Sequence, residues 1–184
     1  MEDRFLVQQT LEGSRSAFRI LVLRHQRTLF RFLGTLIFDQ ALQEEIAQEA
    51  FLRAFKSLAT FDPERGTSFS TWLLTIAKNL AFNELEKRRV RKDFLESEKT
   101  ESEPTTESSE KLLEAAQTRV IVRKAIQELP VEFRSTVALS YLEEHSIAEI
   151  ATIHGCSEGT VKSRIHRVNE NRDIPTLNWA FGSR

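Results

Sequence analysis

Between Ser146 and Val168 the chain reads S-I-A-E-I-A-T-I-H-G-C-S-E-G-T-V-K-S-R-I-H-R-V, and its last third carries the residue types that read nucleic acid. At 100° per residue, Val161, Ile165 and Val168 share one side of a helix, which must be the buried side. Gly159, Ser163, His166 and Arg167 then face outward, with Lys162 on one flank and Thr160 and Arg164 on the other. Hydroxyls and guanidinium groups reach base edges in a major groove, and cations at the margins meet phosphates. Thr160, Lys162, Ser163, Arg164, His166 and Arg167 are therefore one candidate contact set.

A second set lies in S-T-W-L-L-T-I-A-K-N-L-A-F-N-E-L-E-K-R-R-V-R-K, from Ser70 to Lys92. Leu73, Ile76 and Leu80 form one face of a helix; Thr75, Lys78, Phe82 and Arg89 lie on the other, with Asn79 at its edge. The segment ends in Lys87, Arg88, Arg89, Arg91 and Lys92. Cations suit phosphates, a ring stacks on an unpaired base, and amides bond its edge. An alternative stays open: Phe82 in a core, with the terminal cations merely complementing the helix dipole.

The elements that must hold the first set are legible from their ends. Ser146 stands three residues before Glu149, the spacing of a capping box. Gly155 suits the left-handed residue that closes a helix, and Ser157 can cap the next. The turn between is three to four residues, as a helix-turn-helix requires, and Ala151 permits a close crossing of the two helices.

The remaining sequence predicts an all-α protein. It has 184 residues, 40 % hydrophobic, with only six Gly and four Pro, enough apolar content for real cores and little to break helices. The single cysteine, Cys156, excludes an internal disulfide framework. No apolar run approaches a membrane span and M-E-D-R-F-L has no signal-peptide character, so a cytoplasmic location is expected, without membrane insertion. The net charge of −1 hides a division: residues 1–92 are net basic, 93–111 acidic and 112–184 balanced.

Residues 4–11 predict a short helix broken at Gly13. A long one follows from Ser16 to Phe38, with Phe18, Leu21, Val22, His25, Leu29, Phe32, Leu33 and Leu36 at helical spacing. His25 has no Cys or His at ligand spacing and reads as a hydrogen-bonded core or boundary residue. Asp39 can cap a third helix running to about Leu58, with Leu42, Ile46, Ala50, Ala54, Phe55 and Leu58 turned to the core. Its other side presents Glu44, Glu45, Gln48, Glu49, Leu52, Arg53 and Lys56, which taken alone is a solvated face. Phe61 and Phe69 bracket a polar loop, Phe61–Ser70. Residues 93–111, rich in Ser, Thr and Glu, cannot bury enough surface to fold and read as an acidic linker between two domains. Helix returns from Leu112 to Leu129; Pro130 starts another, with Phe133, Val137 and Tyr141 as its stripe. No hydrolytic, cofactor-binding or metal constellation is present, so catalysis is not expected.

Two helical nucleic-acid-binding modules on an acidic tether resemble a bacterial RNA polymerase sigma factor of the extracytoplasmic-function (ECF) group of the sigma-70 family. The likeness is carried by D-Q-A-L-Q-E-E-I-A-Q-E-A-F-L-R-A-F (39–55), S-F-S-T-W-L-L-T-I-A-K-N (68–79), E-L-P-V-E-F-R (128–134) and I-A-E-I-A-T-I-H-G-C-S-E-G-T-V-K-S-R-I-H-R (147–167). The resemblance implies sigma domain 2 over 1–92, a linker over 93–111 and sigma domain 4 over 112–168, with an atypical tail over 169–184. It implies that Asp39, Glu44, Glu45, Gln48, Glu49 and Arg53 meet the clamp helices of the largest subunit of core RNA polymerase. It also implies that Phe61, Phe69, Thr75, Lys78, Asn79, Phe82, Asn83, Arg88 and Arg89 engage the −10 element and a flipped base. The first candidate set would read the −35 element while the opposite side of that module docks on the flap of the second-largest subunit. The linker would thread toward the RNA exit path as a negatively charged mimic of RNA. Promoter DNA and an anti-sigma factor complete the implied partners, and no cofactor is implied. The tail departs from the family pattern: Asn169, Asn171 and Pro175 should end the recognition helix early. A stand-alone helix-turn-helix regulator that never touches polymerase is the competing reading.

Overall fold

The computed structural model describes residues 2–62, 66–95, 129–143 and 145–170, and among these every regular element is helical. Helix α1 (Asp3–Leu11) ends in a turn at Gly13, whose φ of 100° favours glycine. Helix α2 (Arg15–Leu36) begins where the Ser14 hydroxyl accepts from the Ala17 N–H, and its buried stripe includes Leu21, His25, Leu29, Phe32, Leu33 and Leu36. Helix α3 (Gln40–Lys56) starts where the Asp39 carboxylate accepts from Leu42 N–H at 3.2 Å. A 3₁₀ turn (Leu58–Thr60) leads toward α4 (Phe69–Leu95). Helices α1 to α4 pack around Leu21, Phe32, Ile46, Ala50, Leu73 and Ala77, the first module's core.

Helix α5 (Val131–Val137) follows Pro130 and widens into a π-helical turn over Ala138–Leu142. The Glu143 N–H donates to Ala138 C=O at 3.2 Å, an i to i+5 bond, so Glu143 projects away from the course an α-helix would give it. Helices α6 (Ile147–His154) and α7 (Glu158–Glu170) complete the second module.

The modules are not held apart. Ala138, Leu139, Ile150, Ala151, Ile153 and Val161 belong to the same continuous cluster of buried side chains as the α1–α4 core. Helix α6 lies along α4, while α5 and its π-helical turn lie against α2. The expected linker and the helix from Leu112 fall largely outside the described residues, though α4 continues through Asp93 to Leu95.

Several expectations need correction. Phe55, placed in the core by periodicity, is 43 % exposed, its ring edge-on to Phe18 at 4.9 Å. Of the expected stripe Val137 is buried but Phe133 and Tyr141 are only half-buried; Ser135 and Thr136, which meet His154 of α6, and Ala138 and Leu139 are buried beside Val137. Helix α7 runs on to Glu170, so Asn169 does not end it, and the tail beyond lies outside the described residues.

Candidate nucleic-acid interface

The helix-turn-helix is built as its end signals require. Ser146 Oγ accepts from Glu149 N–H at 3.3 Å while Glu149 Oε2 accepts from Ser146 N–H at 2.9 Å, satisfying two orphan donors at once. Gly155 takes the left-handed conformation at φ 66°, and Ser157 Oγ accepts from Thr160 N–H at 3.2 Å. That turn fixes the rotation of α7. Val161 and Val168 are buried with Ile165 beside them, so Gly159, Lys162, Ser163, His166 and Arg167 stand exposed. Lys162 pairs with Glu158 at 3.7 Å, both exposed. Thr160 is half-buried at the cap, and Arg164 is half-buried on the side turned toward α4.

On α4 the expected promoter residues divide between two environments. Asn79 and Asn83 are exposed, and Asn79 lines an open 380 Å³ cavity with Arg53, Lys56, Ser57 and Ile76. Arg53, expected on the polymerase face, is thereby shared between the two surfaces. Thr75, Lys78 and Phe82 are half-buried beneath the second module; Lys78 Nζ lies 5.5 Å from the Phe82 ring centre, and that ring faces His154 at 6.5 Å. Phe61 and Phe69 do not face solvent. They are buried in an aromatic cluster with Trp72, Phe69 edge-on to Phe61 at 5.8 Å and tilted on His25 at 5.1 Å, so in this fold they shape the loop. The cations at the end of α4 are partly neutralised: Arg88 reaches Asp39 at 3.3 Å and Glu84 at 3.4 Å, and Arg89 reaches Glu86 at 2.9 Å. Asp39 thus serves as helix cap and as partner of Arg88. The cap's bond from Leu42 N–H is the chief reason its carboxyl sits below the usual range.

The polar side of α3 is open. Glu44, Glu45, Gln48, Leu52, Arg53 and Lys56 are exposed and Glu49 half-exposed, with Glu49 and Arg53 paired at 2.6 Å. His25 is a boundary histidine, as its surroundings in the sequence suggest: it is nearly buried, its Nε2 lies 2.8 Å from Asp3, and burial lowers its pKa. Among the described residues no His, Cys, Asp and Glu group has metal-site geometry, and no helix is long and apolar enough to cross a membrane.

Sequence reasoning missed the residues that join the modules. Glu143, its side chain 5 % exposed, lies 3.1 Å from Arg31 of α2 at an angle too poor for a hydrogen bond, and also bonds Thr28. Burial pushes its carboxyl upward despite Arg31 and Arg27. The Arg134 guanidinium lies 5.7 Å from the Phe38 ring centre and donates to Leu36 C=O at 3.5 Å. Thr71 Oγ1 donates to Glu149 Oε1 at 3.3 Å. None of these contacts has a signal in local spacing.

A helix-turn-helix with an exposed polar and basic face thus packs on a helical module whose α3 presents an open, largely acidic side. The sequence matches the family description Sigma-70 region 2 over residues 21–91 and Sigma-70, region 4 over residues 119–168. It is similar to the RNA polymerase sigma-H factor of Pseudomonas aeruginosa, 33 % identical, with 94 % of this chain and 92 % of the relative covered. The ECF RNA polymerase sigma-E factor of Escherichia coli is 34 % identical, with 94 % and 93 % covered. Two solved structures share the fold. CnrH in complex with the cytosolic domain of CnrY has a TM-score of 0.69 at 24 % identity, covering 98 % of this chain and 99 % of that one. The sigma factor RpoE in complex with the anti-sigma factor NepR from Bartonella quintana has a TM-score of 0.68 at 24 % identity, covering 91 % and 98 %. The chain belongs to the ECF group of the sigma-70 family. It is an alternative sigma factor, working with core RNA polymerase in promoter-specific transcription initiation, and the stand-alone regulator is not favoured.

Proposed function

We propose the residue roles through which this sigma factor acts, dividing the chain into domain 2 (1–92), linker (93–111), domain 4 (112–168) and tail (169–184), and acting in the cytoplasm. Helix α7 reads the −35 element: Ser163, His166 and Arg167 face base edges, while Lys162, Thr160 and Arg164 meet the backbone. Asn79 and Asn83, beside the cavity shared with Arg53 and Lys56, receive an unpaired base of the −10 strand, with cations at its rim for the adjoining phosphates. Lys78, Phe82, Thr75, Arg88 and Arg89 continue that track along α4. Glu44, Glu45, Gln48 and Glu49 dock on the clamp helices. An anti-sigma factor is the expected inhibitor, and the function calls for no cofactor or catalytic residue.

The observation that carries this reading is the exposure of Lys162, Ser163, His166 and Arg167 on a helix whose rotation is fixed by the Gly155 turn and the buried Val161 and Val168. Run-off transcription with core enzyme tests it. The chain is expected to bind core and start transcription at a selected promoter, and Glu45→Lys, on an exposed site where no packing is lost, to abolish core binding with helix content unchanged. A chain that bound duplex DNA but not core, or a Glu45→Lys variant with undiminished core affinity, would displace these assignments.

A further inference from the structure

Three basic side chains from three helices converge beside the Phe82 ring. Lys78 projects from α4, His154 closes α6, and Arg164 lies on the half-buried side of α7 turned toward α4. The charge of Arg164 bears on Lys78 and on His154, and that of Lys78 bears on His154 as well. No carboxylate of the described residues is among the charges that bear on either. Other cations of the fold are placed differently: Arg31, Arg53 and Arg88 each have a carboxylate within 3.3 Å. Like charges brought together where solvent is partly excluded repel more strongly than on an open surface, so the cluster calls for a counter-charge.

The hydrogen-bond inventory shows which donors remain to hold one. Ser135 Oγ and Thr136 Oγ1 both donate to Glu132 C=O, at 3.1 and 2.7 Å, so toward His154 Nε2, at 3.2 and 3.4 Å, they can only accept. His154 is thereby committed inward as a donor, and with a pKa lowered to about 4 its ring is uncharged at neutral pH. Thr75 Oγ1 is committed too, donating to Thr71 C=O at 2.8 Å. The two cations are not: Lys78 Nζ lies 5.5 Å from the centre of the Phe82 ring, and Arg164 Nη1 is buried without a hydrogen-bond partner. A buried guanidinium nitrogen left without an acceptor is costly, and it is met best by a charged oxygen. Two positive charges with separate donors match one anion that carries two negative charges and several oxygens. A halide has no second oxygen to offer, and a carboxylate offsets only one of the charges.

We propose that Lys78 and Arg164 form a binding site for a doubly charged tetrahedral oxyanion, free phosphate or a phosphate monoester, which bridges α4 and α7 beside the Phe82 ring. This goes beyond the promoter roles given to the same two residues, since the ligand is small and diffusible. While it is held, neither cation is available to a DNA backbone.

Calorimetric titration of the full chain with sodium phosphate at constant ionic strength is expected to show saturable one-to-one binding. Arg164→Gln and Lys78→Met, which keep most of the side-chain stem, are expected to weaken it at least about tenfold, as the loss of one charge-assisted hydrogen bond would. Arg19→Gln, exposed on α2, should leave it unchanged. A second measurement needs no variant: the ring resonances of Phe82 and His154 are expected to move as phosphate binds, while those of His166, exposed on the outer side of α7, stay in place. Adenosine 5′-monophosphate in place of phosphate separates the two sources, tighter binding assigning the site to an ester and equal or weaker binding to the free ion. Absence of saturable binding, equal affinity in wild type and both site variants, or resonance shifts confined to His166 overturns the site. None of these outcomes alters the promoter roles, which run-off transcription tests separately.

Discussion

His154 shows how a side chain near the proposed DNA-reading surface can be tied to the fold. It ends α6 with its Nε2 3.2 Å from Ser135 Oγ and 3.4 Å from Thr136 Oγ1, and burial, then Arg164 and Lys78, lowers its pKa to about 4. A histidine depressed in the fold binds fewer protons folded than unfolded between about pH 4 and pH 6.5. Its contribution is therefore complete above pH 6.5 and disappears as pH falls toward 4, with an upper bound of roughly 3 kcal/mol. Glu143 has the opposite sign, since its raised carboxyl favours the folded form as pH drops through its titration. Comparing melting temperatures of wild type and His154→Gln at pH 7 and pH 5 cancels the Glu143 term. Wild type is expected to lose more on acidification, and parallel losses would remove His154 from the account. Lys162 offers the contrast of an exposed cation whose proposed role is outside the fold. Lys162→Ala should weaken −35 binding across all sequences and lower the salt slope by about one phosphate, whereas Ser163→Ala should relax a single position by roughly 1–3 kcal/mol. A selection of bound DNA in the presence of core enzyme distinguishes the two patterns.

At the scale of elements, what could be read from the sequence was whatever the chain decides locally. Ser14, Asp39, Ser146, Gly155 and Ser157 each mark a helix end through a bond or a φ angle spanning a few residues. The capping box can be priced by mutation: Ser146→Ala should cost about 1 kcal/mol and Gly155→Ala, strained at φ 66°, a similar amount. Urea midpoints would report both, and unchanged midpoints would show that packing of α6 on α4 supplies the helix end without them. The same locality explains the rotation of α7, where one turn sets which residues face out. It fails where a helix has two buried sides. Periodicity separated Leu73, Ile76 and Leu80 from Thr75, Lys78 and Phe82, but the pattern carries no information that a second module covers the polar stripe. Phe61 and Phe69 misled for a related reason: loop aromatics look available until Trp72 and His25 are brought to them across the chain. The aromatic edge of Phe55 on Phe18 is likewise a contact that only the assembled module defines.

For the whole molecule, a tethered pair of domains and a closed single body differ in how their stabilities are linked. Independent modules lose structure in separate transitions, whereas modules sharing a buried cluster unfold together when the interface is a substantial part of each core. Leu139 is the residue on which this can be decided. It is fully buried in the π-helical turn, within the cluster that joins the second module to the α1–α4 core, and it lies outside both proposed promoter-reading surfaces. Leu139→Ala removes about 2–5 kcal/mol by lost burial and the cavity left behind. In a closed body that loss is felt by both modules. Fluorescence of Trp72, half-buried in the first module and read in a Trp179→Phe background, and protection of Cys156, in the second, should then shift to lower denaturant by the same amount. If Cys156 protection falls while the Trp72 transition stays in place, the contact between the modules contributes little energy, and the covered face of α4 is available to a promoter without any prior opening.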